Sequence, residues 1–251
     1  MKLFTITLCL TVAGLLAFQA QAQPYQDFNN WTVDSNDKYG GLSIFNYYTQ
    51  NDGSALVAYL NGTLNFPEND RPRQEVYLPN FVKDGYTYKF KFDVYINTYS
   101  GNGSEAGGCF FQLFPQNSNS TFDHNGANFL LRTAGADTIY GYVAGNYSPA
   151  QYTDNLLASN GSYLDKSFTF EVQICCSADA NTGYIKVWGG EGADLPDNEM
   201  KYLGVIKGAN MSAASLGGKG CVVKCGTYCM GSPDYANGIV EIWNMTAQPV
   251  N

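Results

Sequence analysis

The stretch Tyr86-Thr-Tyr-Lys-Phe-Lys-Phe-Asp-Val-Tyr-Ile-Asn97 alternates between apolar and polar residues almost without a break. Side chains of a β-strand point to opposite faces in turn, so Tyr86, Tyr88, Phe90, Phe92, Val94 and Ile96 share one side. Thr87, Lys89, Lys91, Asp93 and Tyr95 share the other. A helix would scatter the same aromatics around its circumference. One buried face and one wetter face is the pattern of an antiparallel sheet, and it obliges the rest of the chain to supply partner strands.

Partners are easy to find. Leu42-Ser-Ile-Phe-Asn-Tyr-Tyr-Thr49 and Ala55-Leu-Val-Ala-Tyr-Leu60 read as short strands on either side of the turn signal Asn51-Asp52-Gly53. Arg71 to Leu78 puts Arg71, Arg73, Glu75 and Tyr77 on one face and Gln74, Val76 and Leu78 on the other. Pro72 restricts it to a strand start or an edge. A glycine-rich loop, Gly101 to Gly108, leads into Cys109-Phe-Phe-Gln-Leu-Phe114, where Gln112 lies between Phe110 and Phe114 on its own face. Phe129 to Arg132, Thr138 to Val143, Phe168 to Ile174, Tyr202 to Ile206 and Ile239 to Trp243 follow as strands. Asn181-Thr-Gly183 makes a hairpin turn into Tyr184 to Trp188. Gln23 to Gly41 reads as polar and irregular, with Trp31 as an anchor, and Ala209 to Leu216 as one helical turn. Aromatic residues at 15%, charged residues at 14% and 27 glycines belong to a sheet-and-turn protein. With no internal repeat, linker or heptad, many short strands at near-regular spacing indicate a β-sandwich or jelly roll.

The chain opens with Lys2, an apolar run from Leu3 to Phe18, and Ala20-Gln21-Ala22. These are the charged start, apolar middle and small-residue cleavage site of a secretory signal peptide. Residues 1–22 are therefore expected to be removed, leaving residues 23–251 as one secreted, extracellular domain. No later run approaches the roughly 18 apolar residues of a membrane span, so no membrane partner is expected. Loss of Cys9 leaves Cys109, Cys175, Cys176, Cys221, Cys225 and Cys229. An even set in an oxidising compartment reads as disulfides of unassigned pairing. A zinc site is disfavoured, because the spacing of the last three is not C-x-x-C and the chain has one histidine. Sequons at Asn30, Asn61, Asn102, Asn119, Asn146, Asn160, Asn210 and Asn244 mark a glycoprotein. A net charge of −8, about −9 without Lys2, argues against nucleic acid as a partner.

The chemistry gathers around Cys221-Val-Val-Lys-Cys-Gly-Thr-Tyr-Cys-Met230. Read as a strand, it sets Lys224, Gly226 and Tyr228 on one face, with bare backbone at Gly226 where a ligand could lie close. Cys221, Val223, Cys225, Thr227 and Cys229 back it from the other face. Arg73-Gln-Glu75 and Gln112-Leu-Phe114 place further polar groups on two other strands. Together these resemble the jelly-roll polysaccharide lyases, the alginate-lyase type of family 7 and the glucuronan lyases of family 20. The alginate-lyase type carries R-x-E on an early strand, Q-I-H or Q-V-H on a middle one and Y-F-K-A-G-x-Y-N-Q on a late one. Here the lysine, glycine and tyrosine of the third motif keep their register, Cys229-Met230 replaces Asn-Gln, and Phe114 stands where that type has histidine. The order holds across most of the mature length.

The resemblance implies an all-β, concanavalin-like jelly-roll sandwich of two antiparallel sheets with a concave substrate groove. It implies a monomer cleaving an anionic polysaccharide by β-elimination, with no cofactor required and, in some relatives, a structural calcium ion. Taking the C5 proton of a uronate adds negative charge beside a carboxylate, so that carboxylate must be neutralised and the enolate stabilised. Arg73 and Gln112 are the expected donors and Tyr228 the expected base and acid. Tyr228 needs nearby cations such as Arg73, because an unperturbed phenol, with a pKa of about 10, is scarcely ionised at neutral pH. Lys224, Glu75, Arg132, Lys89 and Lys91 are the expected substrate-binding residues, and no metal ligands are expected. In D-glucuronate and D-mannuronate the C5 proton and O4 lie on one side of the ring, so one tyrosine suffices for syn elimination. His124 is an alternative base, although a histidine in an Asn-rich loop is more often simply solvated.

Other readings of the same residues stay open. Arg73 with Glu75 also fits a cross-strand ion pair, Gln112 a satisfied core amide, and Lys224 with Tyr228 a solvated strand face. A non-catalytic carbohydrate-binding jelly roll whose tyrosines stack on sugars is the main rival. A glycoside hydrolase is less favoured, since Glu75, Glu171 and Glu241 form no obvious catalytic pair. A disulfide-rich wall protein would have no groove.

Overall fold

The computed structural model describes residues 26–35, 40–45, 53–60, 73–100, 108–115, 128–135, 137–144, 151–157, 161–177, 179, 181–208, 220–229 and 237–250. Their strands form two seven-stranded antiparallel sheets. In the first, β1 (Thr32–Ser35) is followed across the sheet by β4 (Arg73–Val82), β13 (Cys221–Cys229), β6 (Gly108–Pro115), β7 (Asn128–Ala134), β8 (Thr138–Ala144) and β9 (Gln151–Tyr152). In the second, the order is β12 (Lys201–Lys207), β11 (Tyr184–Glu191), β10 (Lys166–Cys175), β5 (Thr87–Ser100), β14 (Asn237–Pro249), β3 (Ala55–Leu60) and β2 (Gly40–Phe45). This is a β-jelly-roll sandwich, and the alternating stretch of Tyr86–Asn97 lies at its middle as β5.

The two sheets meet over aromatic rings. Phe90, Phe92, Val94 and Ile96 of β5 are buried, as the alternation requires. Phe92 stacks on Phe111 of β6 with centroids 5.1 Å apart and an interplanar angle of 19°. Phe90 approaches Phe111 at 5.5 Å, and Phe110 approaches Phe170 of β10 at 5.5 Å. Each such phenylalanine contributes about 1.5–3 kcal/mol by leaving water, which makes this cluster the main tie between the layers.

Three expectations about local structure need correction. Phe110 does not share a face with Gln112: the register slips between Cys109 and Phe111, and the bulge turns both Phe110 and Phe111 into the core. The region read as irregular, Gln23 to Gly41, contains β1, held against β4 by pairs such as Asp34 with Glu75. Trp31 does anchor it, 6% exposed with its ring 5.2 Å from Phe28. Of the cysteines expected to form disulfides, Cys175 and Cys225 carry free thiols. The expected helical turn at Ala209 to Leu216, the leader at 1–22, His124, Arg71 and Pro72 lie outside the described residues, as do the sequons at Asn61, Asn102, Asn119, Asn146, Asn160 and Asn210. No helix among the described residues is long and apolar enough to cross a membrane.

One thiol pair is nevertheless placed to bond. Cys176 follows β10 in the second sheet, Cys221 opens β13 in the first, and their sulfurs are 3.4 Å apart in the core. Burial, together with the neighbouring thiol, pushes Cys221 well above the usual thiol range, so thiolate is scarce in the folded state. We expect protein folded under oxidising conditions to carry a Cys176–Cys221 link, and folded reduced protein to acquire it only slowly. Peptide mapping without reductant checks this; a peptide pair joining either residue to a different cysteine would refute it.

Asn244 is also settled by its surroundings. It is buried, and its amide nitrogen donates to Asp93 Oδ2 at 2.6 Å, so this sequon offers no free amide in the folded chain. Asn30 is exposed.

Candidate active site

β4 and β13 lie side by side and turn their polar residues to the same outer face of the first sheet. Gln74, Val76, Val223 and Cys225 point into the sandwich and are buried. Arg73 therefore stands directly opposite Tyr228, Glu75 opposite Gly226 and Tyr77 opposite Lys224. On the other edge of β13, Lys224 pairs with Gln112 of β6. Arg73, Gln112 and Tyr228 thus share one side of the molecule, and Cβ atoms of directly opposed residues are about 4.5–5.5 Å apart.

Beneath that face runs a buried charge network. Lys224 Nζ is 2.8 Å from Glu75 Oε2 and 2.9 Å from Asp34 Oδ2. Asp34 Oδ1 accepts from Arg73 Nε at 3.1 Å, and the Gln112 amide donates to Glu75 Oε1. Lys224 also sits 5.5 Å from the centre of the Phe114 ring, so the side chain in the place of histidine packs on a cation. Two like charges opposed across strands repel. Asp34 and Glu75 are such a pair, and Lys224 between them removes the conflict.

Burial sets the electrostatics. It pushes Glu75 above the ordinary carboxylate value, and Lys224 draws it back only in part. Burial lifts Asp34 too, but Lys224 and Arg73 outweigh it and hold that group below 3.8. Lys224 would be lowered by burial, yet Glu75 and Asp34 raise it above 10.5.

These contacts sort the predicted residues by access. Arg73 keeps 40% of its side chain exposed, and its terminal fork makes no bond among the described residues. Tyr228 is half-buried at the surface. Gln112 is 2% exposed with one amide proton committed to Glu75. Lys224 and Glu75, expected to touch substrate, are 4% and 1% exposed and are occupied with each other, so they brace the site from below. Arg132 of β7 lies on the same face, in the row Arg73–Tyr228–Cys109–Arg132.

Lys89 and Lys91 do not join the site. They belong to β5 in the second sheet and point outward there, Lys89 to Glu171 at 2.6 Å and Lys91 to Asp197 at 2.9 Å. Alternation says which face of a strand a residue takes, not which sheet the strand enters. Gly226 also has a different purpose from the one expected. Its φ is +135°, and a Cβ there would collide with the Gln74 carbonyl and lie 2.8 Å from Glu75 Cα. Glycine is needed for the close approach of β4, not to leave room for a ligand.

Asp34, which clamps Arg73 and Lys224, is not predicted by the sequence pattern. It sits in a polar stretch with no periodicity to mark it, and only strand pairing reveals its position. Among the described residues no three acidic, histidine or cysteine side chains cluster to hold a metal ion, so no calcium ligands can be assigned there.

Neither a protein-family model nor a curated protein matches the sequence. Solved structures do match the fold. A family 7 alginate lyase in complex with product superposes with a TM-score of 0.59 at 11% identity, covering 89% of this chain and 96% of that one. The endo-β-1,4-glucuronan lyase of the fungus Trichoderma reesei gives 0.58 at 12% identity, covering 91% and 94%. A marine family 7 alginate lyase from Zobellia galactanivorans gives 0.52 at 16%, covering 89% and 96%. The chain has the β-jelly-roll fold of the family 7 alginate lyases and of this glucuronan lyase.

Proposed function

We propose that the mature chain is a secreted lyase that cleaves a polyuronate, glucuronan or mannuronate-rich alginate, by syn β-elimination. The observation that carries this reading is the direct pairing of Arg73 with Tyr228 on an accessible sheet face above the Gln112–Glu75–Lys224–Asp34 network. The fold shared with enzymes of that reaction supports it.

In this mechanism the terminal fork of Arg73 and the second amide proton of Gln112 bind the carboxylate of the reacting sugar. When all are ionised, Arg73 and Lys224 balance Asp34 and Glu75. Burial already disfavours the ionised form of Glu75, and Lys224 opposes that effect. The Tyr228 oxygen takes the C5 proton, the electron pair left at C5 forms the C4=C5 bond, and the C4–O4 bond breaks toward O4. The same tyrosine returns a proton to O4. No water is consumed, and the new chain end is an unsaturated uronate. Lys224 takes no proton, because Glu75 and Asp34 keep it charged.

Purified protein offered glucuronan, polymannuronate and polyguluronate separately should generate the ultraviolet-absorbing unsaturated end from the first or second. L-Guluronate carries its C5 proton and O4 on opposite faces, and activity on polyguluronate alone would defeat the one-tyrosine mechanism. A non-catalytic carbohydrate-binding protein is the second reading. It is favoured by the packed rings of Tyr140, Tyr142 and Tyr152 on the same sheet.

A further inference from the structure

We propose that Arg132, clamped between Tyr140 and Tyr142, forms a second carboxylate subsite that holds a sugar acid about two units along the chain from the reacting one; this rests on the polyuronate reading above. Arg132 is 7% exposed, and its guanidinium carbon lies 5.7 Å from the Tyr140 ring centre and 5.6 Å from that of Tyr142. Among the described residues its side chain makes no hydrogen bond and no ion pair, and its buried Nε has no acceptor. The contrast with the site below Tyr228 is sharp, for there Lys224 contacts two carboxylates and Arg73 one.

An unpaired cation so far from water is costly. Two ring faces return about 2 kcal/mol per desolvated contact, and they leave the planar fork of donors unused. A carboxylate satisfies that fork with two parallel hydrogen bonds, which neither ring can do. The position suits a polymer that also reaches Tyr228. Arg132 pairs with Cys109, and Cys109 pairs with Tyr228, so the two side chains lie in one row running across the strands. Two strand spacings separate them, roughly 10 Å, the length of about two linked pyranose rings. Beyond Arg132 the sheet continues through Tyr142 to Tyr152, which is 59% exposed with its ring 4.9 Å from that of Tyr142. That edge offers an apolar platform for a ring face just past the cation.

The test uses Tyr228→Phe protein, so that ligand is bound but not cut. A glucuronate disaccharide and a glucuronate tetrasaccharide are titrated by calorimetry into this parent and into the same protein carrying Arg132→Met or Arg132→Lys. Arg132→Met should weaken the tetrasaccharide by about 10-fold or more, the loss expected of charge-assisted hydrogen bonds, and leave the disaccharide unchanged. Arg132→Lys, which keeps charge but not the fork, should fall between. Equal weakening of both oligomers would mean that Arg132 only supports the sheet, and an unchanged tetrasaccharide affinity would mean that it reads no carboxylate; either overturns the subsite. Should Arg132→Met not fold, Arg132→Lys decides, with parent-like tetrasaccharide affinity overturning it. Failure of the polyuronate reading itself shows earlier and elsewhere: the parent binds neither oligomer and wild-type protein forms no unsaturated ends, which removes the subsite with it.

Discussion

Tyr228→Phe is expected to lower the rate of polyuronate cleavage by about 10³-fold with little change in oligosaccharide affinity. One positioned proton transfer is worth roughly 10² to 10⁴ in rate, and in the proposed elimination this phenol handles both the proton that leaves C5 and the one that reaches O4. Phenylalanine keeps the ring, and so keeps the packing between Arg73 on one side and Cys109 on the other. Stability should fall by no more than about 1.5 kcal/mol, the net worth of a hydroxyl's hydrogen bond. The check is kcat and KM on the preferred polymer beside a thermal melt. A loss confined to KM would make Tyr228 a binding residue, and retention of more than a tenth of the rate would place the proton transfer elsewhere. The same variant separates the two functional readings, since a carbohydrate-binding protein keeps its affinity and has no cleavage to lose.

The parts of this site that could be read from the chain are those governed by the two-residue period. Arg73 and Glu75 on one face of β4, Lys224 and Tyr228 on one face of β13, and Phe90 and Phe92 inside β5 all follow from alternation. What alternation does not contain is the neighbour of each strand, because pairing joins residues far apart in sequence. Alternation alone therefore does not separate Lys89 and Lys91, on the second sheet, from Arg73 and Tyr228 on the first. Asp34 carries no periodic signal, because its partner Lys224 lies 190 positions away. Phe110 departs for a related reason. The slip between Cys109 and Phe111 is a response to the partner strands and leaves no mark in the local pattern.

Lys224→Met is expected to destabilise the fold by about 3–5 kcal/mol, because it strands a buried carboxylate without its counter-charge. Lys224 and Glu75 have side chains only 5% and 2% exposed, so water cannot take over the lost contact. Asp34 keeps Arg73, which leaves Glu75 as the source of most of the cost. Adding Glu75→Gln to Lys224→Met should accordingly recover a large share of the stability, and the double-mutant cycle measures how much. The pH dependence has a definite sign. Asp34 is held below 3.8, so its contribution is present above that value and is lost as pH falls through its folded pKa. Lys224 is held above 10.5, so its contribution is present below that value and is lost as pH rises through its folded pKa. Glu75 runs opposite to Asp34: raised above 4.5, it favours folding at acid pH, and that advantage disappears as pH rises through its folded value. Without Lys224 both carboxylates bind protons more readily, and the stability gap between wild type and Lys224→Met should narrow as pH is lowered from 7 toward 4. Denaturant melts of the two proteins at both pH values measure that gap. A gap that stays constant would mean that Lys224 supports the sheet through its aliphatic stem against Phe114 rather than through its charge.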